Sequence, residues 1–352
     1  MNIQIFGESH GPYIGAVVDG FPAGVKIEEK FLESEMKRRS PNASFYSTQR
    51  IEADAIEFVS GISNGYTTGS PLCFIIKNAD FKKSDYQHEI PRPSHADYPA
   101  HIRFKGFADQ SGGGHFSGRL TAPMVAIGAL CKLALLKYNI NFYSKINSVG
   151  KLYDTSFSGY EDTAALSKLN KADIPVLDDG LKKNIVELLE KVKQDGNSVG
   201  AKIETMAINV PVGIGGYNRI EKELSSKFFE IPAVKAVEFG LGVKFAESFG
   251  KDVNDEYYID SNKVKTKTNN NGGVLGGLST GMPIIAKVTF KPTPSIYSKQ
   301  NSVNLKTMKN TDITISGRHD PCVAIRAIVV VESMMAVQVL ELLLEAYGYA
   351  GF

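Results

Sequence analysis

The sequence predicts an α+β fold in a single domain, with central helices covered by sheets. Three observations carry this. Segments 121–136 and 323–347 have helical length and are apolar on most faces, the pattern of helices buried inside a core. Strand-like runs at 14–18, 55–59, 72–76, 203–210, 283–290 and 312–315 do not alternate one-for-one with helices, so a doubly wound parallel sheet is not expected. No Pro/Ser-rich linker divides the 352 residues, although length alone would allow about two domains of ~150 residues.

The remaining elements follow in order. A short amphipathic helix is expected at 30–38. Another spans 181–194, where Ile185, Leu188, Leu189 and Val192 recur at helical spacing and Gly196 supplies a C-cap. A third covers 219–229. Segments 60–68 and 269–277 read as loops, and polar 153–169 reads as an excursion or a mobile stretch. At 43% hydrophobic and 22% charged residues, the chain can bury a sizeable core, which excludes a disordered or disulfide-stapled protein. Forty basic against 38 acidic residues leave a net charge of +2, and the basic residues do not alternate with aromatics, so no nucleic-acid partner is expected. Cys73, Cys131 and Cys322 are far apart and odd in number, which points to a reducing compartment and gives no metal-ligand spacing. The apolar stretches 125–136 and 324–344 are interrupted by Lys132, Arg326, Glu332 and Glu341 and fall short of the ~20 apolar residues of a membrane span. With no signal-peptide pattern at the start, a cytoplasmic protein is expected.

The 33 glycines cluster, and the clusters sit beside polar residues, which favours a site assembled from loops. In Gly7-Glu8-Ser9-His10-Gly11 the flanking glycines place His10 in a cleft, suited to proton transfer. In 92–97 a proline stiffens the approach to His95, and Asp97 can orient its imidazole. Gly112-Gly113-Gly114 runs toward the helix at Thr121, the arrangement of a backbone anion site, without the spacing of an ATP or dinucleotide loop. The paired glycines of 272–277 let a flat ring lie against backbone. Lys291-Pro292-Thr293-Pro294-Ser295 offers a cation and two hydroxyls to a phosphate, or is an ordinary loop. Arg318-His319-Asp320, just before the long C-terminal helix, reads either as an N-cap with a salt bridge or as a cation and carboxylate at a site. Together these describe an enzyme that moves protons on a small anionic substrate, with a flat phosphate-bearing cofactor.

GESHG at 7–11, IGAVVDGFP at 14–22, GGGHFSGRLTA at 112–122 and GRHDPCVAIRAIVVVES at 317–333 resemble chorismate synthase. So do 60–69, 92–97, NVPVG at 209–213, the paired glycines and KPTPS at 291–295, in the family's order from about residue 5 to 345. The resemblance implies a β-α-β sandwich with antiparallel sheets, usually a homotetramer. It implies conversion of 5-enolpyruvylshikimate 3-phosphate to chorismate and phosphate, the last shared step of the shikimate pathway. The reaction is an anti-1,4-elimination without net redox change that nevertheless needs reduced FMN (FMNH2). By motif match, His10 would protonate the leaving phosphate, His95 would sit by the flavin N1–C2=O edge, and Asp320 would take a proton through flavin N5. FMN contacts would come from His115, Phe116, Ser117, Ala233, Gly276, Gly277, Lys291, Pro292, Thr293, Pro294, Ser295 and Arg318. Substrate contacts would come from Ser9, Arg39, Arg50, Arg119 and Arg326, with Arg39 also in the pyridine-nucleotide (NADP) region. Nothing resembles an added reductase domain, so an external flavin reductant is expected.

Departures from the family pattern concentrate on cations. Phe45, Ala108, Ser111 and His115 stand where arginine is usual; Phe116 replaces Ser, Leu120 replaces Glu and Ser94 replaces Gly. Arg38, Arg39, Arg50, Arg103, Lys105 and Arg119 remain. The start of the chain is expected to lack most of the strand that precedes GESHG. Each lost desolvated arginine–phosphate contact costs roughly 1.5–3 kcal/mol. The alternative is therefore a paralogous FMN-dependent enzyme with a less anionic substrate. A non-catalytic flavin binder is opposed by the retained His10, His95 and Asp320.

Overall fold

The structure, a computed structural model, describes residues 1–40, 54–78, 89–109, 111–217, 219–315 and 319–349. Two antiparallel sheets enclose a layer of helices. The first sheet has the order Asn2–Gly7, Tyr13–Asp19, Leu72–Lys77, Ile56–Ser60. The second has the order Val234–Phe239, Ile284–Phe290, Ala201–Ile208, Asn141–Val149, Leu152–Tyr153. Between them, helix Thr121–Leu135 packs against helix Ala324–Tyr347. The former touches the first sheet and the latter lies on the second. Helices Glu29–Arg39 and Arg219–Phe229 complete the layer, and one buried apolar cluster runs through both sheets and the helices between them.

The two central helices approach unusually closely at Gly128. A Cβ there would stand 2.1 Å from Ser333 Cβ. This accounts for a glycine in mid-helix despite its cost of about 1 kcal/mol relative to alanine. Every residue of Thr121–Leu135 is buried, as is most of Ala324–Tyr347. Gly118–Tyr138, which contains the first helix, and Ala324–Tyr347 are in fact long and apolar enough to cross a membrane. Interruption by charges therefore does not set them apart from spans; burial within the protein's own core does.

Other expectations are revised. Asn2–Gly7 forms a complete strand, paired with Tyr13–Asp19 along its whole length, so the strand before the first motif is present. Strands Asn141–Val149 and Val234–Phe239 and the short helix Asp97–Arg103 were not legible in the sequence. Asn141–Val149 escapes pattern reading because both its faces are buried and one is charged. Phe142 and Ile146 enter the main core, while the opposite face carries Lys145. Fully buried Lys145 lies 2.9 Å from Asp154 and 3.3 Å from Glu204. The polar stretch at 153–169 covers this face: Phe157, Leu166 and Leu169 pack on Tyr143, Met206 and Ile285 as a second small core. It is a cover built around buried ion pairs.

Candidate active site

At one end of the helix layer lies a cavity of about 1060 Å³. Small-molecule pockets span roughly 300–1000 Å³, so this cavity is at the large end and roomy enough for a flavin-sized ligand. Four of the chain's six histidines line it: His10, His95, His115 and His319. Among the described lining residues, Arg39, Arg92, Arg119, Lys235, Lys291 and Arg326 face Asp54, Glu230 and Asp320, a clear excess of positive charge.

His10 is 8% exposed. Ser9, fully buried, donates its hydroxyl proton to the Ser111 carbonyl at 3.1 Å and lies 2.9 Å from His10 Nδ1. A hydroxyl has one proton to give, so toward His10 it accepts, which directs a ring proton to Nδ1. Ser9 thus stands behind His10 rather than lining the cavity. His95 is oriented differently. Its Nδ1 is 2.6 Å from Asp97 Oδ1, and Arg92 grips the same carboxylate at 2.7 and 2.8 Å. Arg92 also approaches Nδ1 at 3.2 Å, but the shorter carboxylate contact wins, so Nδ1 donates to Asp97. Asp97 is pushed up by burial, yet the hydrogen bonds from Arg92 and His95 outweigh this and hold it well below the ordinary carboxylate range.

The triple glycine seats these two rings. Gly112 and Gly113 both have left-handed φ, +64° and +117°. A Cβ on Gly112 would meet His10 Cε1 at 1.9 Å, and one on Gly113 would meet His95 Nε2 at 3.3 Å. The expected backbone anion loop is therefore a spacer that lets the chain pass between the two histidines. Ser94, where glycine is usual in the resembling family, has φ +59°, which explains that preference.

The cationic wall is organised by a residue that sequence reading missed. Asp54 accepts from Arg39 Nη2 at 2.6 Å and from Arg119 Nη1. No local pattern signals it, because its partners lie 15 and 65 positions away. Arg119 Nε also donates to Asn78 Oδ1 at 2.8 Å. Burial pulls Arg39 down to about 10, with Asp54 opposing and Arg326 and Arg119 adding to the shift. Arg326 lies 3.1 Å from Asp320 Oδ2, so the predicted acid–base carboxylate is held by a predicted substrate arginine. Arg38, Arg103 and Lys105 do not line the cavity.

The opposite wall fits a flavin phosphate. Lys291 and Lys235 both line it. Lys291 is held below its ordinary value by burial and then by Lys235 beside it. Thr293 Oγ1 is buried with no hydrogen-bond partner among the described residues, and buried Ser295 follows. Two cations and an unsatisfied hydroxyl are what a dianionic phosphate needs. Phe116, Ser117, Ala233 and Pro294 also line the space. Pro292 does not; its ring lies over Gly200. Gly276 and Gly277 do not either. They form the turn of hairpin Val274–Leu275 and Leu278–Ser279, with φ +61° and +84°. Arg50, Phe45 and Arg318 lie outside the described residues.

Fold and cavity together define a class: β-α-β sandwich enzymes that set two oriented histidines and a carboxylate opposite an anion-binding wall. Comparison with known proteins makes the class specific. The family model described as chorismate synthase matches residues 1–344. A chorismate synthase of Pyrococcus abyssi (strain GE5 / Orsay) is 46% identical over 341 residues, covering 96% of this chain and 94% of the relative. One of Thermococcus gammatolerans (strain DSM 15229 / JCM 11827 / EJ3) is 41% identical over 355 residues, covering 100% and 98%. A crystal structure of chorismate synthase superposes with a TM-score of 0.78 at 28% identity, covering 99% of this chain and 92% of that one. The chain belongs to the chorismate synthase family. It is a lyase of the shikimate pathway, in aromatic amino-acid biosynthesis, and the paralogue alternative is not favoured.

Proposed function

We propose that the substrate is 5-enolpyruvylshikimate 3-phosphate and the cofactor reduced FMN. The observation that carries this is one cavity holding His10, His95 and Asp320 between two cationic walls. The C–O bond to phosphate and one C–H bond break: the C–O electron pair leaves with the phosphate, and the C–H pair stays on carbon as the additional double bond. Reduced FMN, when bound, supplies transient electron density and a proton acceptor at N5. His10 donates a proton to the departing phosphate, which leaves more readily as the less charged ion. Arg39, Arg119 and Arg326 hold the substrate's anionic groups, with Arg50 beside them in the sequence pattern. Asp320, held 3.1 Å from Arg326, accepts the proton removed from carbon. His95, fixed by Asp97, orients the flavin edge. Lys291, Thr293, Ser295 and Lys235 hold its phosphate, with Arg318 as the matching arginine of the motif.

The domain reading of one unit over 1–352, a homotetrameric assembly, an external flavin reductant and a cytoplasmic location belong to the same proposal. The test is anaerobic: the protein is mixed with chemically reduced FMN and the substrate, and chorismate and phosphate are followed together. Equal release of both supports the reading. Folded, FMN-bound protein that releases neither refutes it.

A further inference from the structure

We propose that Asp54 is the positioning residue of the substrate wall, one carboxylate that sets the place and spacing of two arginines. The inference rests on the reading of that wall as the substrate's anion site. Asp54 is 3% exposed. Its two oxygens are divided: Oδ2 takes Arg39 Nη2 at 2.6 Å and Oδ1 takes Arg119 Nη1. Arg39 and Arg119 are themselves 4% and 6% exposed, and two buried guanidiniums side by side repel each other unless a carboxylate lies between them. With Asp54 between them, both guanidiniums can line the same stretch of cavity wall. Arg39 keeps a further donor, since its Nε is buried with no hydrogen-bond partner among the described residues.

The clamp reaches the proton donor as well. Arg119 Nε donates to Asn78 Oδ1 at 2.8 Å, and Asn78 Nδ2 donates to the carbonyls of Gly11 at 2.7 Å and Glu8 at 3.1 Å. Those carbonyls belong to the loop that carries His10. Asp54 therefore ties the spacing of two anion-binding arginines to the position of the group that protonates the leaving phosphate. It need not touch substrate to control the alignment of phosphate and His10.

The test compares Asp54→Asn and Asp54→Glu with the unaltered chain in the anaerobic assay, with FMN affinity and thermal unfolding measured on the same samples. Asn keeps the shape but presents an amide to one guanidinium; Glu keeps the charge but displaces both. The expected result for each folded variant is a fall in kcat of about tenfold or more. KM should change less than kcat, and FMN affinity should stay within about twofold, since the flavin wall is separate. Wild-type kcat and KM in Asp54→Glu overturn the inference. So does a kcat loss in either variant that merely follows the fraction folded or the loss of FMN. If Asp54→Asn does not fold, Asp54→Glu decides alone. Failure of the unaltered chain to turn over refutes the proposed reaction instead, so the two failures are distinguishable.

Discussion

Arg38 and Arg39 are neighbours on one helix, and their surroundings assign them opposite tasks. Arg38 joins a closed quartet with Glu35 at 2.8 Å and Glu332 at 2.7 Å, completed by Lys132, which contacts both acids. Two cations meet two carboxylates, and nothing is left over. Burial alone would lower Arg38, but Glu332 and Glu35 outweigh it and hold it above its ordinary value. Arg39, one residue on, shares Asp54 with Arg119, and burial pulls it down to about 10. Placement rather than residue type separates the two: Arg39 lines the cavity and Arg38 does not.

The largest expected effect lies on the open side of this comparison. His10→Ala should lower turnover by roughly 10²–10⁴-fold, the usual worth of a positioned proton donor, with folding retained. Asp320→Asn should do likewise, read as chorismate release by protein with an unchanged unfolding transition. Turnover surviving in both would remove their assigned roles.

The sharpest contrast is Arg38→Gln against Arg39→Gln. The first strands two buried acids on one lysine and should cost about 3–5 kcal/mol in denaturant unfolding. The second leaves Asp54 paired with Arg119, so stability should fall less. Its kcat/KM should drop about tenfold or more for one lost charged contact. Equal stability losses would erase the distinction.

Acid unfolding probes the quartet directly. Glu332 is raised by burial but lowered more by Arg38 and Lys132, to about 2 from 4.5. A depressed carboxylate stabilises the fold above its unfolded value and loses that contribution on protonation. Stability should therefore fall as pH drops from 4.5 through about 2, and Glu332→Gln should flatten that stretch of the curve. An unchanged slope would show that the quartet does not carry it.

On the flavin wall, Lys235→Ala should weaken FMN binding by about tenfold, followed by flavin titration, while leaving unfolding nearly unchanged. The smallest effect is a gain. Ser94→Gly should stabilise the fold by about 1 kcal/mol in denaturant melts, because serine at positive φ is strained and glycine is not. No gain would mean that Ser94's side chain repays the strain.

Much of the fold was legible because hydrophobic burial writes itself in period. The central helices read as buried because they are apolar all round, and helix Arg219–Phe229 was placed to the residue. Strand Asn141–Val149 was not, since ion pairs bury Lys145 and a charged face imitates a surface. Within the cavity, His10, His95, Lys291 and Asp320 announced themselves through flanking Gly, Pro and Asp. Lys235 did not, because in VKAVEF it looks like the outward residue of an ordinary strand.

By itself, the sequence determined the class of fold, the family and the residues capable of acid–base and anion chemistry, since these depend on residue type and local order. The tertiary structure alone decided which charges pair. It placed Asp54 between Arg39 and Arg119, enclosed Arg38 in the quartet, set Gly112 against His10, and left the Gly276–Gly277 turn outside the cavity. Charge pairing and ring packing act through space over a few ångströms, and partners up to hundreds of positions apart meet only when the chain is folded.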